Sequence, residues 1–199
     1  IYRTIQKFKY YSGLNILGLS LGLTCVILIS MWIFNELGYD KFHEHHDSIY
    51  QINYKTPEGE RSAGSPAPLA PGIREGIPEI KNTARMRQLP ELAFKHGEKM
   101  FYESNGITTD PDMFRMFSFE VIRGNPEEAL GEIHNMVITR SLAEKYFGSE
   151  NPIDKEVMIE GRGYMTVKAV IEDVPAQSHI QFDYVLPHKF AENYRICGL

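Results

Sequence analysis

The sequence predicts a mixed α/β (α+β) extracytoplasmic domain preceded by a single N-terminal transmembrane helix. Three observations predict this arrangement. Residues 1–35 carry three basic side chains and no acidic one, whereas residues 36–199 carry 18 basic against 26 acidic side chains, a net charge of −8. No charged residue occurs between Lys9 and Glu36. Beyond Asp40, short β-rich segments alternate with short helical ones, which is typical of a mixed α/β domain.

The first part contains an apolar run long enough to cross a bilayer. Leu14–Phe34 comprises 21 residues, of which 12 are Leu, Ile, Val or Phe. As a helix it would extend about 31 Å, close to the roughly 30 Å of the hydrocarbon core. These side chains contribute on the order of −5 kcal/mol to insertion. Residues 12–37 are therefore predicted to form a transmembrane helix.

A cleaved signal peptide is the main alternative for this helix. The apolar region of a signal peptide normally spans about 7–15 residues and ends at small residues, whereas this run leaves through Met31–Glu36 without such a site. Cys25 lies in mid-span, which is a poor context for a lipoprotein cysteine. The helix is therefore expected to remain as an anchor in membrane lipid.

The charges flanking the helix predict its orientation. Arg3, Lys7 and Lys9 precede the span and acidic residues follow it, so the positive-inside rule places the N-terminus in the cytoplasm and the main domain outside. Residues 1–11 are predicted to form a short amphipathic helix on the cytoplasmic surface.

Small and polar residues lie along one side of the predicted span. Asn15, Gly18, Gly22 and Cys25 share an arc of about 80° at 100° per residue, and Gly18-x-x-x-Gly22 is a small-xxx-small pair. Because small residues let backbones approach closely, this side is predicted to pack against another helix. The alternative is that glycine is simply common in membrane helices.

The second part is predicted to contain a stalk, at residues 38–48, and an outer core domain, at residues 49–199, that is incomplete at its C-terminus. Within the stalk, Asp40–His46 is predicted to continue the membrane helix outward. The predicted strands are Ile49–Lys55, Thr83–Gln88, Leu92–Lys95, Lys99–Glu103, Phe119–Arg123, Met136–Thr139, Glu156–Ile159, Thr166–Glu172 and Phe182–Leu186. The predicted helices are Leu69–Gly76, Pro111–Met116, Glu127–Leu130 and Ser141–Phe147.

The stalk holds the densest group of potential metal ligands, His43-Glu44-His45-His46-Asp47. A zincin helix requires H-E-x-x-H, and aspartate at position 47 breaks that pattern. His43 and His46 lie three residues apart and would share a helix face with Asp40 or Asp47 nearby. A solvated, acidic stalk is the favoured interpretation over a metal site.

No other grouping predicts catalysis. Glu172, Asp173 and His179 flank a proline turn and are better explained as turn residues. The sequence contains no G-x-S-x-G, Walker-A or G-x-G-x-x-G pattern. A net charge of −8 in residues 36–199 offers no footprint for nucleic acid. Because Cys25 lies in the membrane and Cys197 outside, the two cysteines are not expected to pair. The chain is therefore predicted to be non-catalytic, with no catalytic, cofactor or metal residue.

Four segments together resemble the FtsX/MacB-type permeases of ABC transporters. The stretch "ELGYDKFHEHHDSIYQI" (Glu36–Ile52) resembles the juxtamembrane segment of that family. The other three, which resemble its periplasmic core domain, are "TTDPDMFRMFSFEVIRGNPEEAL" (Thr108–Leu130), "NMVITRSLAEKYFGSENPIDKEV" (Asn135–Val157) and "VKAVIEDVPAQSHIQFDYVLP" (Val167–Pro187). Asp154 departs from the family, which usually has glycine there, so a turn at this position has to accommodate a Cβ atom.

The resemblance implies a permease subunit of the bacterial inner membrane with four membrane helices, of which this chain carries the first, as an opening fragment of a longer protein. Such subunits work in pairs with a cytoplasmic ATPase that binds the ATP, and they pass its motion to the periplasmic domains. The family is linked to drug or peptide efflux, lipoprotein release and control of cell-wall hydrolases, so a periplasmic partner is also implied. Here the transmitting element would be the Leu14–Leu37 helix with its Asp40–His46 extension.

A non-catalytic ABC-transporter permease subunit is accordingly the leading hypothesis. The first alternative is a bitopic sensor whose outer domain binds a ligand and signals through one helix. A weaker alternative is a membrane-anchored metallohydrolase built on the stalk histidines.

Overall fold

The computed structural model describes residues 9–55, 59, 61–62, 64–66 and 68–194. These form two compact units that meet in sequence at Asp40. Residues 1–8 of the predicted amphipathic segment (residues 1–11) lie outside the described residues, as does Cys197. Several residues between the first predicted strand and the helix at Leu69 also lie outside them.

The N-terminal unit is built around one long helix, α1 (Lys9–Glu36), of 28 residues. In the part of the chain that the structure describes, Tyr10–Glu36 is the one helix long and apolar enough to cross a membrane, and none of it is buried. Its hydroxyls bond inside the helix: Ser20 Oγ donates to the carbonyl of Ile16 and Thr24 Oγ1 to that of Ser20, the latter at 2.8 Å. These polar groups are thereby satisfied without water, as a lipid environment requires.

The helical stalk predicted for Asp40–His46 is wrong. Helix α1 ends at Glu36, turns follow it, and a short 3₁₀ turn occupies His46–Ser48. Asp40 has a φ of 54°, and this left-handed conformation cannot continue an α-helix. Helix α1 is therefore not continued through residues 40–46.

The second unit is organised around a nine-stranded mixed sheet, and a separate two-stranded ribbon pairs β1 (Tyr54–Lys55) with β2 (Arg61–Ser62). The strands of the large sheet are β3 (Met86–Gln88), β4 (Leu92–His96), β5 (Lys99–Glu103), β6 (Gly106–Thr109), β7 (Val121–Gly124), β8 (Asn135–Thr139), β9 (Glu156–Ile159), β10 (Gly163–Ile171) and β11 (Tyr184–Pro187). Their order across the sheet is β3-β6-β11-β8-β10-β9-β4-β5, and β7 pairs with β10.

Within the described part of the second unit, five short helices accompany the sheet: α2 (Leu69–Gly76), α3 (Met113–Met116), α4 (Pro126–Ala129), α5 (Arg140–Phe147) and α6 (His188–Tyr194). Helix α5 shows why they form where they do. The Thr139 side chain accepts a hydrogen bond from the amide of Leu142, and Gly148 closes the helix with a φ of 63°, the residue types favoured at the two ends of a helix.

Successive side chains of the central strands enter two separate cores. The first core contains Leu142 and Tyr146 of α5 and Phe190 of α6. The second contains Met113 of α3 and Ala129 of α4. Strands that feed both cores have near-continuous apolar sequences, as in β8 and β11, because both of their faces are covered.

The predicted α+β fold is confirmed, and eight of the nine predicted strands occur within a few residues of their predicted positions. The first predicted strand, Ile49–Lys55, is reduced to β1. Strand β6 and helix α6 were not predicted. Both are short, and β6 (Gly-Ile-Thr-Thr) contains one large apolar side chain, so it shows neither the polar–apolar alternation nor the apolar run by which a strand is recognised. Asp154 does occupy a tight turn, with a φ of 66°.

Candidate coupling site at the start of the domain

The residues predicted to pack helix α1 against a partner do form a continuous stripe. Asn15, Gly18 and Gly22 line a shallow groove on the helix, together with Leu14, Leu19, Leu23 and Val26. Among the described residues, nothing lies within 4 Å of a Cβ atom built at Gly18 or Gly22, apart from the helix's own neighbouring backbone. Cys25 is exposed one turn further along. Because glycine has no side chain, the groove is open at Gly18 and Gly22. Packing of a second helix into this groove stays a prediction.

The three stalk residues have different environments. Asp40 lies in the turn after α1. The side chain of His46 is 40% exposed and lies 3.3 Å from the Asp47 carboxylate. His43, in contrast, is only 1% exposed. The expectation of a solvated stalk is therefore wrong for His43, which is inserted into the domain.

His43 is held inside an aromatic cage. Its ring centroid lies 3.9 Å from that of Phe42, 5.0 Å from Phe117 and 5.2 Å from Phe119. The contacts with Phe117 and Phe119 are edge-to-face, a favourable arrangement for aromatic rings. We call Phe42, His43, Phe117, Ser118 and Phe119 the entrance cluster.

Hydrogen bonds fix the orientation of the His43 ring. The amide of Ser118 donates to Nδ1 of His43 at 3.1 Å, so Nδ1 carries no proton and the ring is neutral, with its hydrogen on Nε2. The amide of Glu44 donates to Ser118 Oγ at 3.0 Å, and Nδ1 of His46 donates to the His43 carbonyl at 3.0 Å. Residues 43–46 are thus joined to the loop at residues 117–119 by backbone as well as side-chain atoms.

The entrance cluster continues into the second core. The ring of Phe119 packs edge-to-face on Phe182 at 5.2 Å and on Phe114 at 5.9 Å. Phe182 is 2% exposed and belongs to that core. The entrance cluster and the second core therefore form one continuous, closely packed apolar region.

The charged clusters elsewhere in the domain stabilise the fold. Arg85 binds both carboxylate oxygens of Asp110 at 2.8 Å and reaches Glu192 at 3.1 Å. Burial acts to raise the pKa of Asp110, but hydrogen bonds from Arg85 together with its positive charge hold that pKa below its ordinary value. These groups pair with one another, as expected of ion pairs within a folded domain.

Asp173, which the sequence analysis considered as an acid–base group, has a structural role. Asp173 accepts from the amide of Ser141 at 2.9 Å and from its hydroxyl at 2.6 Å, at the start of α5. Within the described part of the chain, no three His, Cys, Asp or Glu residues are grouped so that they could hold a metal ion. His43, the residue on which a metal site would depend, has Nδ1 occupied by the Ser118 amide.

Sequence reasoning found His43 but not its partners. Phe117, Ser118 and Phe119 lie in the Thr108–Leu130 segment that resembles a periplasmic core domain, but the sequence gives no sign that they meet His43. The contact joins positions 75 residues apart in sequence, so no local spacing reveals it. The available signal was Phe42, a large apolar side chain next to His43 in a segment predicted to be solvated.

The fold and this site define a class of protein. The chain belongs to the family of MacB-like periplasmic core domains, whose profile matches residues 12–196. The resemblance to FtsX/MacB-type permeases is thereby confirmed, and family membership supports a component of an ABC-transporter permease. No curated protein sequence matches the chain.

Solved structures agree with this assignment. A domain of a candidate permease from Porphyromonas gingivalis is 27% identical with a TM-score of 0.55, over 61% of this chain and 57% of that one. The periplasmic region of MacB from Actinobacillus actinomycetemcomitans is 16% identical, with a TM-score of 0.50 over 65% of this chain and 57% of that one. The extracellular domain of the noncanonic ABC-type transporter YknZ from Gram-positive bacteria is 15% identical, with a TM-score of 0.50 over 64% of each chain. The last two show the fold alone, and this chain spans about three fifths of each neighbour.

Proposed function

We propose that this chain is part of a non-catalytic permease subunit of a bacterial ABC transporter. It carries ATP-driven motion from a cytoplasmic ATPase, which binds the nucleotide, through helix α1 to the outer domain. The observation that carries the proposal is the entrance cluster. Seven residues after α1 ends at Glu36, the chain inserts His43 into the domain with 1% exposure. A flexible tether would not need this contact, whereas a transmitting segment does.

The membrane arrangement follows from the charges. Arg3, Lys7 and Lys9 precede the apolar span. These charges favour a cytoplasmic N-terminus, helix α1 in the inner membrane and the main domain in the periplasm. The Asn15, Gly18 and Gly22 stripe favours close packing with a membrane helix of a second permease copy or of the same subunit. Efflux and the handling of peptides or lipoproteins are the activities that we propose, with a periplasmic protein as a further partner.

The most direct test is co-expression of the full-length protein with the Walker-motif ATPase that the proposal expects in the neighbouring reading frame. ATP hydrolysis should be stimulated when both subunits are reconstituted together. Gly18→Leu and Gly22→Leu should each lower that stimulation by roughly tenfold, since packing-dependent coupling energies are about 1–3 kcal/mol. The melting temperature of the outer domain should stay at the wild-type value.

Gly13→Leu is the matched control, because it adds the same side chain about 140° away from Gly18 around the helix. Wild-type stimulation of ATP hydrolysis in Gly18→Leu and Gly22→Leu would exclude the proposal that this stripe packs against another helix.

The sequence that follows Leu199 in the full-length protein tests whether the protein is a permease. Three further hydrophobic spans are expected there, and a kinase or HAMP-like helix would indicate the bitopic sensor instead.

A further inference from the structure

Helix α6 is attached to the sheet by a small set of contacts. It is seven residues long and packs against β6 and β11. Its buried side chains are Phe190, at 0% exposure, and Ala191, at 8%. Outside the core, Glu192 of α6 lies 3.1 Å from the guanidinium of Arg85. Because a short helix with a small buried area opens at a lower free energy than the whole domain unfolds, α6 is expected to open locally.

The first residue of α6, His188, lies in an enclosed position beside this ion pair. Its side chain is 11% exposed, and Nε2 lies 3.6 Å from Oε1 of Glu192. The same carboxylate oxygen accepts the hydrogen bond from Arg85. Because Nε2 faces a carboxylate, which only accepts hydrogen bonds, the neutral ring carries its hydrogen on Nε2 and none on Nδ1. Nδ1 is buried and has no hydrogen-bond partner among the described residues.

Four charged side chains act on the His188 ring from three parts of the chain. The positive charges are those of Arg85, just before β3, and Arg87, within it. The negative charges are those of Asp110, just after β6, and Glu192 on α6. Because the two signs are equal in number, burial decides the outcome. Burial holds the pKa of His188 below its ordinary value, and the positive charge of Arg85 acts in the same direction.

We propose that His188 is an acid-sensitive latch, which keeps α6 docked on the sheet at neutral pH and favours its release in mild acid. In the docked helix, a proton added at Nδ1 would create a buried N–H group without an acceptor, which is costly. The compensating gain at Nε2 is small, because Glu192 is 54% exposed and is already bonded to Arg85. In the released helix, water solvates the protonated ring, so acid shifts the equilibrium toward release.

The pH range of the latch follows from the linkage between protonation and release. A solvated histidine has a pKa of about 6.5, and the pKa of docked His188 is lower. The contribution of His188 to docking is therefore fully present above about pH 6.5 and is lost as the pH falls below that value. At about pH 5.5, binding of one proton shifts the docking equilibrium by at most about tenfold. The biological use of the latch rests on the proposed function, because a domain outside the cytoplasm experiences the pH of its surroundings.

Hydrogen exchange of the full-length protein in detergent, with rates corrected for the intrinsic effect of pH, tests the latch without any partner. Between about pH 7.5 and about pH 5.5, the protection of residues 188–194 should fall roughly three- to tenfold. Protection of α5 (Arg140–Phe147), a helix without histidine, should not change. In His188→Gln the side chain can still donate to Glu192 but binds no proton, so the acid effect on α6 should disappear. His134→Gln removes an exposed histidine of the same domain and should behave as wild type.

A second variant keeps the test decisive if His188→Gln folds poorly. Arg87→Gln removes an exposed positive charge that acts on His188, so the docked ring accepts a proton more readily and the acid effect should shrink by about twofold. Equal protection of α6 at both pH values in wild type, an acid effect that persists in folded His188→Gln, or an acid-induced loss of protection shared equally by α5 and α6 would overturn the proposal. Stimulation of the ATPase reports on the proposed function separately, so failure of the latch is distinguishable from failure of that function.

Discussion

Helix α1 and the sheet domain place their apolar side chains in opposite ways. Along α1, leucines and isoleucines are exposed on every side; Leu19, for example, is 76% exposed. In strand β10, by contrast, Met165, Val167 and Ile171 are fully buried. Both segments are strongly apolar, so apolar content alone does not distinguish them. The difference is that the helix satisfies its own backbone and can face lipid, whereas a strand needs neighbours and folds with them around a core.

The largest expected effect is the loss of the sheet domain through one buried charge. Ile171→Asp puts a carboxylate at a position that is 0% exposed, and such a change costs at least about 4 kcal/mol. We expect the thermal transition of the domain to disappear while the protein still inserts into membranes. Val121→Asp is the matched control, since Val121 is the direct partner of Ile171 on β7 but is 43% exposed. A normal melting curve for Ile171→Asp would contradict the assignment of this core.

The same kind of substitution in α1 should have the reverse outcome. Leu21→Arg, near the centre of the span, costs roughly 2.5–3.5 kcal/mol of insertion free energy, and we expect a larger fraction of the protein to be extracted from membranes by alkaline carbonate. The melting temperature of the sheet domain should not change. Leu37→Arg, just beyond the end of the helix, is the control and should remain in the membrane fraction. If both variants are extracted equally, the span has been misplaced.

The smallest effect is expected at Asp154, within the sheet domain. Its φ of 66° is costly for a residue with a Cβ atom, and glycine would relieve about 1 kcal/mol. Against this, the Lys168 Nζ–Asp154 Oδ1 contact of 2.5 Å is exposed, and such pairs are worth about 0–1 kcal/mol. Asp154→Gly should therefore be neutral or slightly stabilising in thermal unfolding. Asp154→Asn removes the charge without the relief, so it should be the less stable of the two.

The two regions also differ in how far the sequence alone predicts them. Helix α1 was predicted from the length and composition of its apolar run alone, because a lipid-facing helix needs no long-range partner to form. The buried strands β8 and β11 were predicted from their apolar runs, whereas β6 was missed because Gly-Ile-Thr-Thr contains a single large apolar side chain. His43 was found as a motif residue but was placed on a solvated helix. Only the contact with Ser118 in three dimensions shows that it enters the domain.

The central claim is that the entrance cluster carries motion from α1 into the sheet. Hydrogen exchange of the reconstituted permease–ATPase complex, with and without a trapped ATP state, tests it without knowledge of the substrate. Wild-type protein should show nucleotide-dependent changes both in residues 41–48 and in residues 113–119, which comprise α3 and the loop that follows it. His43→Ala removes the acceptor of the Ser118 amide, which costs roughly 1–3 kcal/mol, so the measurement is made below the melting temperature of that variant.

In His43→Ala, the nucleotide-dependent change at residues 113–119 should be lost while the change in α1 persists. His45→Ala is the control, because His45 is an exposed neighbour in the same run of histidines, and it should behave as wild type. An undiminished nucleotide response at residues 113–119 in folded His43→Ala would contradict the account.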